Sequence, residues 1–119
     1  MPRITGAKFM AQALKEYGVT HVFVAPAVVR EALAELSQLG VQSIVTHGEK
    51  SAAYMADGYA RAANRPGICF AQSVGAANLA AGLQDPYLGL SPVIAMTGRK
   101  PPMDQQRNAY QEIEHSKPF

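Results

Sequence analysis

The chain has 119 residues, 48% hydrophobic, 17% charged and 8% aromatic, the size and balance of one ordinary globular domain with a modest core. Eleven Lys and Arg against nine Asp and Glu leave a net charge of +2; the basic residues are scattered, with no stripe to follow a phosphate backbone, so no nucleic-acid partner is expected. The single cysteine, Cys69, excludes an internal disulfide framework and suits a reducing compartment, the cytoplasm by default. There is no apolar run of about 18 residues to span a membrane, and the opening "MPRITGAKFM" has no signal-type apolar segment.

Thr5 can cap a first helix in which Phe9, Met10, Ala13, Leu14 and Tyr17 repeat at helical spacing and Gly18 supplies the stop. The run "THVFVAP" (20–26) then has the branched apolar content of a buried strand. A second helix is predicted over 29–39, with Val29, Leu33, Leu36 and Leu39 inward and Gly40 past its end. The strand "VQSIVTH" (41–47) leads into an alanine-rich helix, "GEKSAAYMADGYARA", followed by the strand "GICFAQS" (67–73). A fourth helix, from about Ala76 to Leu88, contains Gly82 and a breaking Pro86 that should kink or end it, and "PVIAMTG" (92–98) reads as the fourth strand. Strands alternating with helices predict an α/β domain: an open parallel sheet with helices on both faces and a binding crevice at the carboxyl ends of the strands. The α/β core is expected over 1–98. Residues 99–119, with two adjacent prolines and much charge, are expected to wrap an edge as a tail of the same domain, cut before the rest of a longer protein.

Glu49 falls on this functional edge, where an apolar run meets the third helix. Ala52, Ala53, Ala56 and Ala60 lie three, four, seven and eleven residues further on, so they share its face, whereas Lys50, Asp57 and Arg61 read as the solvated side. Small side chains there let another backbone come close. The helix start favours a carboxylate anion and burial against alanines disfavours it, which poises the acid for a donor partner. The alternative is a first-turn acid that stabilises a helix. His47 can be a proton shuttle or a structural strand-end residue. Cys69 has no basic neighbour to favour a thiolate and reads as inert. No His, Cys or acid cluster has metal-ligand spacing.

The series "HGEKSAAYMADGYARA", then "AQSVGAANLAAGLQDPYLGLSPVIAMTG", then "AYQEIE" closely resembles the amino-terminal, pyrimidine-binding domain of thiamine-diphosphate-dependent enzymes, in particular the acetolactate synthase branch. The resemblance covers nearly the whole chain and implies the thiamine-diphosphate-binding fold, with flavodoxin-like layering. It implies that Glu49 is the cofactor-activating acid, hydrogen-bonded to a ring nitrogen of the aminopyrimidine, in an enzyme that acts on 2-oxo acids with the cofactor as electron sink. Ser73, Gly75, Asn78 and Pro26 are then cofactor-binding positions, and Gln111 and His47 lie near substrate or partner. The resemblance implies that the diphosphate and Mg2+ belong to a carboxyl-terminal domain of the same or a partner chain; the Gly-Asp-Gly followed by Asn that holds them in the family does not occur here. A homodimer through the Glu49 helix region is implied, and the chain alone should not turn over substrate.

Two loops depart from the family pattern. The first reads Val24-Ala25-Pro26-Ala27-Val28, with methyl groups where a bare backbone would let a ligand approach, and the third reads Ser73-Val74-Gly75-Ala76-Ala77-Asn78, one residue short. These changes support a second reading, a non-catalytic dimerisation module. Retained Glu49 counts against it, since a structural helix start would accept Asp, Ser or Thr equally. A flavodoxin-like mononucleotide binder would need a phosphate-cradling loop, which Ala25-Pro26-Ala27 does not offer.

Overall fold

The computed structural model describes residues 3–26 and 29–114; Ala27 and Val28 of the first loop, His115 and the closing Lys117-Pro118-Phe119 lie outside the described residues. Thr5 caps helix α1 (Gly6–Glu16), its side chain accepting the Lys8 N–H at 3.2 Å. The chain continues through β1 (His21–Val24), α2 (Arg30–Gln38), β2 (Gln42–Val45), α3 (Glu49–Ala63), β3 (Gly67–Gln72), α4 (Val74–Gly82), α5 (Gln84–Leu88) and β4 (Val93–Gly98). All pairings are parallel and the strand order is β2-β1-β3-β4. From β1 the chain steps outward to β2, then crosses back over β1 to β3. Right-handed connections therefore place α2 and α3 on opposite faces.

The core divides accordingly. On one face α1 and α2 bury Ala11 and Leu36 against Val22, Val24, Ile68 and Phe70. On the other, α3 and α4 bury Ala52, Ala53, Ala56 and Leu79 against Phe23, Cys69 and Ala71. Alternate β1 and β3 side chains thus feed two cores, as their almost continuous apolar sequences require. Cys69 is fully buried, and burial pushes its thiol up to about 12.

Phe9 and Tyr17 are not part of the core; they are 64% and 89% exposed. Ala11 sets the buried stripe of α1, with Met10 and Leu14 beside it. Phe9 lies two residues from Ala11, about 200° around the helix, and Tyr17 is the cap residue, beyond the helical turn. The predicted fourth helix is two helices that meet at Leu83. Gly82, rather than Pro86, marks the break: Pro86 sits in the first turn of α5, where its missing N–H has no intrahelical role.

Asp57 also departs from expectation, being buried rather than on the solvated side. It lies four residues after Ala53 and three before Ala60, on the edge of the alanine stripe. Arg61, one turn on, meets it with a 2.8 Å ion pair. The guanidinium rests against Gly89, where a Cβ would come within 2.7 Å of it, so α3 fastens the α5–β4 turn. The Asp57 carboxyl is held below the usual carboxylate range, chiefly by the hydrogen bond from Arg61; the buried Ser91 hydroxyl beside it, outside strict hydrogen-bond geometry, adds to the effect. A carboxyl whose folded pKa is depressed contributes stability above its unfolded pKa, and that contribution is lost as pH falls through the folded value. Asp57→Asn should therefore lower the melting temperature by a few degrees at neutral pH and flatten the acid limb of the stability profile below about pH 4. Parallel melts of the two proteins from pH 7 to pH 2 check this, and an acid limb as steep as the native one would remove Asp57 from that role.

Candidate functional site

Glu49 is the first residue of α3, at the carboxyl edge of the sheet beside the point where the chain reverses direction from β2 back across β1. Gly48 precedes it as an N-cap without a side-chain acceptor, so the carboxylate is the negative group of the first turn. Buried Thr46 fixes the entry: its hydroxyl lies 2.8 Å from the Gly48 carbonyl and 3.2 Å from that of Val24. One proton shared between two acceptors ties the end of β1 to the turn that presents Glu49. Sequence reasoning missed Thr46; a hydroxyl two residues before the glycine of that turn was the available signal.

The Glu49 side chain lies over the first turn of α4. Gly75 has no Cβ, and one placed there would overlap Glu49 Oε1 and stand 3.0 Å from Cδ. Asn78 Nδ2 donates to Glu49 Oε2 at 3.3 Å. One turn further along α3 and two turns along α4, a Cβ on Gly82 would come within 2.8 Å of the Lys50 carbonyl and of the Ala53 methyl. Glu49 over Gly75 and Ala53 against Gly82 are therefore successive steps of one close helix–helix contact, made possible by the small residues on both sides. Glu49 is half-buried, and with His47 and Asn78 it lines an open recess of about 410 Å³.

Ser73 sits at the β3–α4 junction and is buried, with φ 51° and ψ −122°, a conformation costly for a residue with a side chain. Its N–H donates to the Gly98 carbonyl at 2.9 Å. Ser73 and Gln111 do not join Glu49 in its recess. They line a second cavity of about 290 Å³ between the β3 end and residues 99–114, together with Arg99, Lys100 and Gln105. Glu112, in the same wall, accepts backbone N–H bonds from Gln106, from Arg107 at 3.2 Å and from Ala109 at 3.1 Å. These donors, that of Gln106 foremost, hold its carboxyl below the usual range, and Arg99 adds to the effect. Pro26 is exposed just past β1, and His47 is exposed on the rim of the Glu49 recess. Tyr59 packs at 5.8 Å from Phe23 and 5.5 Å from His21, at the opposite end of β1 from Glu49. Among the described residues no group of His, Cys, Asp and Glu is arranged to hold a metal ion, and no helix is long and apolar enough to cross a membrane.

Residues 4–117 match the family model described as thiamine pyrophosphate enzyme, N-terminal TPP binding domain. The chain belongs to this family. As a thiamine pyrophosphate enzyme domain it is 36% identical over 118 residues to acetolactate synthase of Arthrospira platensis, which covers 94% of the chain and 20% of that protein. It is also 36% identical over 112 residues to the chloroplastic acetolactate synthase of Arabidopsis thaliana, covering 90% of the chain and 16% of the relative. The fold matches that of a Mycobacterium smegmatis protein described as a thiamin diphosphate-dependent enzyme, with a TM-score of 0.79 at 23% identity over 92% of this chain and 22% of that one. This TPP-binding domain thus spans about a fifth of the length of the relatives it matches.

Proposed function

We propose that this domain supplies one half of the active centre of an acetolactate synthase-like enzyme that carries out carboligation or decarboxylation of 2-oxo acids. The observation that carries the proposal is the seating of Glu49: an acid at the carboxyl edge, lying on bare Gly75, with Oε2 held by Asn78. These residues fit the aminopyrimidine end of thiamine diphosphate. Gly75 is a cradle that a Cβ would fill, and Asn78 fixes one carboxylate oxygen while the recess opens beside the acid. When bound, the cofactor supplies the electron sink for chemistry at the 2-oxo carbon. The task of Glu49 is to hold and move a proton at a pyrimidine ring nitrogen; Asn78 keeps the carboxyl oriented, and Ser73 and Pro26 shape the neighbouring loops. His47 at the rim and Gln111 near the second cavity stand close to substrate or partner.

Among the described residues no group of His, Cys, Asp and Glu is arranged for a magnesium ion, and the sequence has no Gly-Asp-Gly followed by Asn to hold the diphosphate with it. We assign both to a separate diphosphate-binding domain, of the same or a partner chain, that docks over the Glu49 recess. Residues 1–98 form the core of the domain and 99–119 its edge-wrapping tail. Exposed Tyr54 and Met55, on the outer side of α3, suit a homodimer through the Glu49 helix region. The free, buried Cys69 accords with a cytoplasmic setting. A non-catalytic dimerisation module would have no need of a glycine placed to receive the acid.

The test combines the chain with a separately expressed diphosphate- and metal-binding domain, thiamine diphosphate and Mg2+, and follows pyruvate consumption. Turnover is expected only when both proteins and the cofactor are present. A mixture that binds no thiamine diphosphate by calorimetry would sink the proposal.

A further inference from the structure

The cavity at the β3–α4 junction, lined by Ser73, shares no lining residue with the Glu49 recess. It contains two adjacent cations, Arg99 and Lys100, on the chain leaving β4. Gln105 holds the Arg99 side chain and the Lys100 backbone: its Oε1 accepts from Arg99 Nη2 at 3.0 Å and its Nε2 donates to the Lys100 carbonyl at 2.7 Å. One side-chain amide thus fixes the guanidinium and the backbone beside it. The remaining Arg99 N–H groups form a planar donor fork suited to a carboxylate. Lys100 makes no ion pair among the described residues.

Two acids, Glu112 and Glu114, share the wall. The Glu112 oxygens accept three backbone N–H groups of the 106–109 turn, and the Arg99 charge acts on that carboxylate as well. Gln111, at φ 59°, lies on the same rim; its Nε2 donates one N–H to the Tyr110 hydroxyl at 3.4 Å and has a second. The strained Ser73 lies between this cavity and the Glu49 recess in sequence: it lines the Arg99 cavity, and Gly75, two residues on, lies under the Glu49 carboxylate. Conformations of this kind persist where the surroundings over-determine them and cluster at ligand sites.

We infer that Arg99 and Lys100 form the carboxylate subsite for the 2-oxo acid, with the Gln111 amide placed for its neighbouring carbonyl oxygen. This rests on the proposed 2-oxo acid chemistry, since it names where the substrate of that reaction is held. It also accounts for charge on the 99–100 stretch: a small anionic substrate needs cations beside it, and Arg99 and Lys100 are adjacent cations in the lining of this cavity.

The test is a titration of the 15N-labelled chain with pyruvate, and separately with methyl pyruvate, which has no carboxylate. Pyruvate should shift the amides of Ser73, Arg99, Lys100 and Gln111 with an affinity in the millimolar range, and methyl pyruvate should leave them in place. In the Arg99→Gln, Lys100→Gln double variant the apparent Kd should rise about tenfold or more, with the sheet amides unmoved as evidence of an intact fold. Shifts equal for the ester, or unchanged in the double variant, overturn the assignment, as does the absence of local shifts with pyruvate. A parallel titration with thiamine diphosphate reads Glu49, Gly75 and Asn78. Silence there, with the pyruvate shifts retained, would remove the cofactor reading and leave the anion subsite standing.

Discussion

Glu49→Gln, assayed in the complemented enzyme with thiamine diphosphate and Mg2+, should lower the rate of 2-oxo acid consumption by about 10²–10⁴-fold, the range for loss of a positioned proton-transfer group. The substitution is close to isosteric. The glutamine carbonyl can still accept from Asn78, and the side chain still fits over Gly75, which has no Cβ to obstruct it. The cost of the change is therefore confined to proton exchange. The melting temperature should stay within a degree or two of the native value, and binding of thiamine diphosphate should weaken far less than the rate. Glu49→Asp offers a second reading of the same geometry. It keeps the acid but withdraws it by about one methylene from the Gly75 cradle, and a displacement near 1 Å is enough to cost about 10²-fold. A Gln variant that turns over at the native rate would refute the assignment of the acid; an Asp variant at the native rate would refute the need for its seat on Gly75.

The layered α/β plan was legible in the sequence because both central strands are buried on two sides and read as continuous apolar runs. The alanine face of α3 was legible for a related reason: Glu49, Ala52, Ala53, Ala56 and Ala60 fall on one face by helical arithmetic, and all four alanines are buried. That arithmetic also contained Asp57, at offset four from Ala53, but charge alone marked it as solvated. Its neutralisation by Arg61 one turn later decides the outcome, because an ion-paired carboxylate can tolerate the edge of a core that an isolated one cannot. What the pattern could not supply was register between segments distant in sequence. The pairing of Glu49 with Gly75 and Asn78 depends on how α3 and α4 slide against each other, which the contact at Gly82 sets. The cavity around Arg99 depends on side-chain amides in irregular backbone, where no period exists to read. Of the residues with positive φ there, Asn108 is a turn former, but Gln106 and Gln111 are not and gave no turn signal.

Gly67→Ala should destabilise this domain strongly, and the reason lies in the same close packing that carries Glu49. Gly67 opens β3, where the strand passes directly under α3; a Cβ on it would overlap the Ala56 carbonyl oxygen and lie 3.1 Å from the Ala56 Cα. The obstacle is helix backbone rather than the end of a flexible side chain, so relief requires α3 to lift from the sheet. Overpacking of this kind costs about 3 kcal/mol, which for a domain of this size lowers the melting temperature by about 10–15 °C. Gly58, on the same helix, is the matched control: it is exposed, a Cβ there meets nothing within 4 Å, and its φ lies outside the left-handed region. Gly58→Ala should raise stability by about 0.5–1 kcal/mol, through helix propensity alone. Thermal melts of the two variants beside the native chain measure both effects. A Gly67→Ala protein that melts with the native one would mean that α3 and β3 stand further apart than the Ala56 contact requires. Because α3 begins at Glu49, the lifted helix would also carry the carboxylate away from Gly75, so at temperatures where Gly67→Ala is still folded its complemented activity should fall while that of Gly58→Ala holds.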